Sequence, residues 1–222
     1  MKFASFIRFA SAAGCATIWS LSIFAGEATP GVAPDAALAR LRDGNQRFVS
    51  SALSERTHLT EHRAELAKGQ HPFAIIIACA DSRVAPELLF DQSLGELFVI
   101  RNAGNLLDDH VIGSIEYAVE HLHATLVVVL GHSACGAVTA AVAGGEAPGH
   151  LGSIVESLAP AVTMARKKPG DPIENAVRIN AKLSAAALAQ SEPILRKAVT
   201  AGEIKVLAAR YDLATGQVEF LP

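Results

Sequence analysis

The sequence is poor in several features that mark whole classes of protein. Three cysteines among 222 residues are too few for a small disulfide-rich protein. Aromatic residues make up only 5%, and 19 Lys and Arg face 22 Asp and Glu, so no nucleic-acid partner is expected. Beyond the N-terminal segment, no apolar run approaches the roughly 18 residues of a membrane span. With 50% hydrophobic residues, the chain is instead expected to bury the core of one ordinary domain.

The N-terminal segment has the pattern of a bacterial secretory signal. Two early basic residues precede an uncharged apolar stretch, and small residues at Ala25 and Ala28 offer cleavage sites. The sequence therefore predicts a signal peptide over residues 1–28 and a single domain over 29–222. A periplasmic or secreted location follows, with no membrane contact after cleavage. An uncleaved membrane anchor and a lipoprotein attached through Cys15 are the alternatives.

Hydrophobic patterning predicts an α/β fold. Three continuous apolar runs are typical of strands buried on both faces: 72–79, 96–101 and 125–132. Helical spacing over 109–122, between the second and third runs, predicts a crossover helix and hence a parallel sheet. Further helices are expected over 35–51, 135–143, 150–165 and 172–190, and a strand pair at 204–209 and 218–221. Asp35 is the candidate N-cap of the first helix. The expected fold class is α/β, with a mostly parallel central sheet, mixed at one edge and flanked by helices.

Two short motifs directly follow the first and third predicted strands. They are Cys79-Ala80-Asp81-Ser82-Arg83 and Gly131-His132-Ser133-Ala134-Cys135-Gly136. Ligands of open parallel sheets bind beyond the carboxyl ends of the strands, so both motifs are expected at one edge of the sheet. Two thiolates and one imidazole suit tetrahedral Zn²⁺, and three protein ligands leave the fourth position that a catalytic zinc uses. The candidate ligands of one zinc ion per chain are Cys79, His132 and Cys135.

Asp81 and Arg83 stand two residues apart in the first motif. In an extended segment they point to the same side, where Arg83 can hold Asp81 in a charge-assisted pair. A free carboxylate this close to a ligand could itself take the fourth metal position and close the site. Held by arginine, Asp81 is instead expected to accept the proton of water at the metal.

Plainer interpretations exist for the same residues. In an oxidising compartment Cys79 and Cys135 could form a disulfide, although this leaves the Asp–Arg pair and the histidine unexplained. His132 alone could be a core histidine, and a Cys–His nucleophile pair makes no use of the second cysteine. The glycine spacing of the second motif lacks the Lys-Ser/Thr ending of a phosphate loop.

Together these residues resemble the β-class carbonic anhydrases, here as a bacterial, secreted member. The resemblance covers most of the chain after the signal. It rests on C-x-D-x-R and H-x-x-C together with the segments 95–105 and Glu116-Tyr117-Ala118-Val119. It implies zinc-dependent reversible hydration of CO₂ to bicarbonate and a proton, with Asp81 and Arg83 as a catalytic dyad. It also implies a homodimer or higher oligomer, and a CO₂ pocket lined by Gln70, Phe98, Ala103 and Tyr117.

The resemblance also bears on the details of the site. Gln70 is the implied hydrogen-bond donor to substrate, and Ala103 stands where many plant-type members carry Val. The subset that closes its site with the aspartate usually carries a Trp three residues before the first cysteine. Ile76 occupies that position here, which favours the open, plant-type site. Without the resemblance, Phe98 and Tyr117 would be plain core aromatics.

Two other functions remain as alternatives. One is a non-catalytic zinc-binding relative with Asp81 permanently on the metal. The other is a hydrolase of a CO₂-like heterocumulene such as CS₂ or COS, which would need a different access tunnel.

Overall fold

A computed structural model of the chain describes residues 31–55 and 59–222, and the predicted signal peptide lies outside these residues. The helices are α1 (Pro34–Val49), α2 (Leu59–Leu66), α3 (Pro86–Leu89), α4 (Asp109–Glu120), α5 (Gly136–Ala143), α6 (Leu151–Ala165), α7 (Pro172–Ala189) and α8 (Leu195–Thr200). The strands are β1 (Ala74–Cys79), β2 (Leu97–Asn102), β3 (Leu126–His132), β4 (Lys205–Tyr211) and β5 (Val218–Leu221). Among the described helices, none combines the length and apolar character needed to cross a bilayer.

The five strands form one sheet in the order β2-β1-β3-β4-β5. The first four strands in this order run parallel, and β5 pairs with β4 in the antiparallel direction. This confirms the predicted α/β class, with a mostly parallel sheet that is mixed at one edge. Every residue of β1 and β3 is buried. A strand covered on both faces needs apolar side chains at every position, which explains the two longest continuous apolar runs.

Alternate residues of the central strands enter two separate cores. On one face, Ile75 and Val127 pack with residues of α4, α7 and α8. On the other face, Ile76 and Val128 pack with residues of α1 and α3. Fully burying an isoleucine side chain contributes about 1.5–3 kcal/mol, so these two layers hold the helices on the sheet. A third apolar cluster joins α5, α6 and α7 around the two described cysteines.

Two local expectations were wrong. The second apolar run, β2, is an edge strand and is only half-buried within one chain, because β1 covers one of its sides and no described strand pairs with the other. Asp35 is not an N-cap, since α1 begins at Pro34 after Ala33, whose methyl side chain cannot accept a hydrogen bond. Asp35 lies in the first helical turn and forms an ion pair with Lys205.

A network of five charged side chains joins α7 to β4 and β5. Arg178 holds Glu219 in a bidentate pair at 2.9 and 2.6 Å and also bonds Glu174. Arg210 bonds both Glu174 and Asp212. Backbone N–H donation from Thr215, followed by the Arg210 bond, lowers the pKa of Asp212 to about 2. The hydrogen bonds from Arg178 likewise lower the pKa of Glu219.

This network predicts a loss of stability in acid. Both carboxyls have a lower pKa in the folded chain than their ordinary values near 4, so their contribution is complete above that pH. The contribution is lost as the pH falls through the folded pKa, which is about 2 for Asp212. The Asp212→Asn variant should unfold with a free energy about 1 kcal/mol lower at pH 7, and this difference should vanish toward pH ~2. Urea unfolding across this pH range measures it, and a difference that stays constant would contradict the assignment.

Candidate metal centre

Cys79, His132 and Cys135 lie together at the carboxyl end of the sheet. Cys79 ends β1 and His132 ends the neighbouring parallel strand β3. Cys135 is the N-cap residue of α5. All three are buried, and their ligand atoms lie within 4.8 Å of one another. The structure therefore brings together the three residues that the sequence predicts as ligands.

The geometry of the cluster fits a tetrahedral zinc ion. The two Sγ atoms are 4.0 Å apart and both cysteines are free. This is far beyond the ~2.05 Å of a disulfide and close to the roughly 3.8 Å expected for two thiolates on one zinc. His132 Nδ1 lies 2.9 Å from the Ser133 carbonyl oxygen, which leaves Nε2 as the free nitrogen of the ring. Nε2 is buried and has no hydrogen-bond partner in the described part of the chain, as expected of a metal-binding nitrogen.

Local backbone geometry turns the ligands toward one point. Ala134 has a φ of +52°, a left-handed conformation that is uncommon for a residue other than glycine and lets the chain reverse between His132 and Cys135. At Gly131, an added Cβ would lie 3.0 Å from Val177 Cγ1 and 3.3 Å from the Val177 carbonyl oxygen. The absence of a side chain there therefore lets α7 pack directly against the end of β3.

Hydrogen bonding favours the thiolate form of Cys79 over that of Cys135. The bond from Cys135 lowers the pKa of Cys79, the Gly104 N–H acts in the same direction, and burial opposes both. The same bond, together with burial, raises the pKa of Cys135 well above its ordinary value. Backbone N–H groups of the first turn of α5 act in the opposite direction on Cys135. Since a ligating thiol must be deprotonated, binding of a metal is expected to release the proton of Cys135.

Asp81 and Arg83 form the charge-assisted pair expected from their spacing. Arg83 Nε donates to Asp81 Oδ1 at 2.9 Å and Nη2 donates to Oδ2 at 2.7 Å. The Arg83 backbone N–H adds a third bond to Oδ1 at 3.0 Å. These bonds hold the pKa of Asp81 well below its usual range. Oδ2 lies 3.9 Å from His132 Nε2, so an ionised carboxylate stands beside the ligand cluster. The catalytic roles of both residues stay predictions.

Arg101 is a residue of the site whose role sequence reasoning missed. It stands on β2 opposite Ala78. Its Nε donates to the Cys79 carbonyl oxygen at 3.0 Å and its Nη2 to the Asp81 carbonyl oxygen at 2.7 Å. One planar guanidinium thus fixes the backbone on both sides of Ala80. The signal available in the sequence was a single charged residue, Arg101, at the end of a mostly apolar predicted strand.

Replacing Arg101 with Leu should loosen this segment. Hydrogen bonds to charged groups each contribute about 1.5–3 kcal/mol, so we expect unfolding to become easier by at least ~1.5 kcal/mol. Zinc affinity should fall about 10-fold, as for other partners that orient ligands. Arg101→Lys is the matched control for charge. It keeps the positive charge, but its ammonium group lacks the planar array of N–H groups that bonds both carbonyls. Urea unfolding and competition with a chromophoric chelator measure both effects. Wild-type zinc affinity in Arg101→Leu would contradict the positioning role.

The four predicted pocket residues are not gathered around the ligands within one chain. Gln70 is exposed and precedes β1, whereas Cys79 ends that strand. Phe98 lies opposite Ile75, which is about 13 Å along the strand from Cys79. Tyr117 is 48% exposed on α4, with its ring 5.2 Å from that of His121. Ala103 directly follows β2 and precedes Gly104, whose N–H donates to Cys79 Sγ. The substrate-binding roles of all four stay predictions.

Comparison with known proteins gives one consistent family. A family model described as "Carbonic anhydrase" matches residues 74–218. The chain is 40% identical over 192 residues to "Carbonic anhydrase 2" of Mycobacterium tuberculosis, covering 85% of this chain and 93% of the relative. It is also 40% identical to the carbonic anhydrase of Mycolicibacterium smegmatis, covering 86% and 94%.

Solved structures agree with the fold. A tetrameric β-carbonic anhydrase of Sordaria macrospora superposes with a TM-score of 0.68 at 25% identity, covering 81% of this chain and 93% of that chain. A β-carbonic anhydrase of Aspergillus fumigatus gives 0.66 at 29% identity, covering 84% and 89%. The chain therefore belongs to the β-class carbonic anhydrase family, and it is an enzyme of that family.

Proposed function

We propose that the enzyme is zinc-dependent and interconverts CO₂ and water with bicarbonate and a proton. The observation that carries this is the buried Cys79–His132–Cys135 cluster, in which Nε2 has no hydrogen-bond partner among the described residues. Three ligands of this kind hold zinc while leaving a fourth position for the reaction. The names of the mycobacterial relatives support the same activity.

The chain's own residues act on this site through charge and position. Zn²⁺ bound there would supply a nucleophile near neutral pH by lowering the pKa of water. Asp81, kept ionised by Arg83, accepts a hydrogen bond from water in the site and so orients it. Oδ2 is the acceptor on the ligand side, because it lies 3.9 Å from His132 Nε2. Three hydrogen bonds from Arg83 restrain the carboxylate, which supports an open site in which Asp81 is not a ligand.

We infer that a second copy of the chain completes the CO₂ pocket, so that the active form is a homodimer or higher oligomer. Three observations support this. The first four residues of the edge strand β2 are apolar and only half-buried in one chain, and Tyr117 is 48% exposed. The tetrameric relative from Sordaria macrospora has the same fold. Sedimentation equilibrium of the wild type and of Tyr117→Asp is the test. A fully active monomer would contradict the proposal.

Stopped-flow CO₂ hydration by zinc-loaded protein, from pH ~6.5 to 9, tests the reaction over a range that brackets the pKa of zinc-bound water. Activity near neutral pH would support both the enzyme and the open site. Activity only at alkaline pH would support the reaction and overturn the open site. Inactivity at every pH with full zinc would overturn the proposal. Turnover of CS₂ or COS by the same sample would then identify a heterocumulene hydrolase, and its absence a non-catalytic zinc protein.

We propose a periplasmic or secreted location, supported by the signal pattern of residues 1–28. Intact-mass analysis of protein from a periplasmic extract is the test. A chain beginning after Ala25 or Ala28 is expected. A full-length chain in the membrane fraction would instead show an uncleaved anchor.

A further inference from the structure

Asn180 is a polar side chain in an apolar environment. It is 5% exposed on α7, and its neighbours Ile179 and Ala181 are buried as well. Burying an amide is costly unless it is hydrogen-bonded. Asn180 Nδ2 donates to the Gly104 carbonyl oxygen at 3.0 Å, which joins α7 to the loop after β2. None of the hydrogen bonds described for Asn180 involves a metal ligand.

Gly104 connects Asn180 to the candidate metal centre. Its N–H donates to Cys79 Sγ at 3.4 Å, while its carbonyl accepts from Asn180. Its φ is +81°, a conformation that glycine adopts at little cost. The two peptide groups share one α-carbon with two free dihedral angles. A glycine left to itself could therefore rotate its N–H away from the sulfur.

We propose that Asn180 is a positioning residue for the metal centre. By holding the Gly104 carbonyl, it keeps the neighbouring N–H aimed at Cys79 Sγ and so sets how strongly that sulfur donates charge to the metal. This inference rests on the proposed zinc site. Hydrogen bonds to a ligand atom fix its orientation and tune its donor strength, and their loss typically costs 10- to 100-fold in metal affinity or activity.

Cobalt substitution provides a measurement that would not change if Asn180 only stabilised the fold. With Co²⁺ bound, the near-ultraviolet sulfur-to-cobalt absorption reports the charge on the thiolates. Asn180→Ala should shift this absorption to longer wavelength, since a sulfur without its N–H partner donates more readily. Zinc affinity, measured by chelator competition, should nevertheless fall about 10-fold, because the sulfur is no longer held in place for the metal. Asn180→Leu, which keeps a branched side chain but has no N–H, should behave in the same way.

Asn45→Ala is the matched control. Asn45 is 7% exposed, and its Nδ2 donates to two backbone carbonyls, those of Leu89 and Gly216. Its loss should destabilise the fold yet leave the cobalt absorption unchanged. An unchanged absorption in both Asn180 variants, or an equal shift in Asn45→Ala, would overturn the inference. A wild-type protein without sulfur-to-cobalt absorption would instead overturn the proposed metal site itself.

Discussion

Replacing Cys79 with Ser, or His132 with Ala, should leave a chain that no longer retains zinc. Each change removes one of three ligands whose atoms lie within 4.8 Å of one another. We expect zinc affinity to fall by more than ~100-fold, beyond the 10- to 100-fold that the loss of an outer partner costs. The zinc content measured after dialysis should fall from one ion per chain to a small fraction of that. The CO₂ hydration activity should be lost together with the zinc.

The controls separate loss of ligand from loss of fold. His150→Ala removes an exposed histidine and should keep both zinc and activity. Far-ultraviolet circular dichroism should show that the ligand variants retain their helices and strands. A folded His132→Ala protein that holds one zinc ion per chain as tightly as the wild type would show that this histidine is not a ligand.

Replacing Asp81 with Asn should separate metal binding from catalysis. The amide has nearly the same shape, but it carries no charge for Arg83 and its NH₂ group cannot accept a hydrogen bond. Zinc should stay at one ion per chain, because Asp81 contributes none of the three ligand atoms. Residues that handle protons typically contribute 10²–10⁴-fold, so we expect kcat for CO₂ hydration to fall within that range.

Glu219→Gln is the matched control for this experiment. It removes the same unit charge from another bidentate pair, that of Glu219 with Arg178, on the antiparallel edge strand. It should lower stability slightly and leave kcat unchanged. Full activity in Asp81→Asn would refute the dyad. Loss of zinc in Asp81→Asn would show that the carboxylate binds the metal, which is the closed form of the site.

Local patterns in the sequence predicted the central strands well, and the structure brings the cysteines and the histidine of the two motifs together. β1 and β3 are buried at every position. Their apolar runs are therefore continuous and easy to recognise in the sequence. The exposure of β2 was missed because strand order is decided by packing across the sheet, and β2 lies at its edge. The short helices α2, α3 and α8 have at most eight residues each, too few for a clear apolar period.

Contacts between distant segments were harder to predict. Asp81 and Arg83 are two residues apart, so their pairing follows from local geometry. Arg101 acts on the backbone of a neighbouring strand, and Asn180 reaches a loop 76 residues away. Neither contact has a spacing that a single sequence could reveal. Gln70 and Phe98 came from the resemblance alone, and one chain does not bring them to the ligands.

Helix α7 contacts the segments beside two of the candidate ligands, at two points less than one turn apart. Val177 packs on Gly131, directly before the His132 ligand, and Asn180 holds the carbonyl of Gly104, whose N–H reaches Cys79. Because a helix is stiff over one turn, a shift of α7 that relieves crowding at Gly131 also displaces Asn180 from the Gly104 carbonyl. Substitutions at Gly131 and Asn180 should therefore be non-additive in a double-mutant cycle. The substitutions tolerated at one of these two positions should therefore depend on the residue at the other. A side chain added at residue 131 would change which residues are tolerated at position 180.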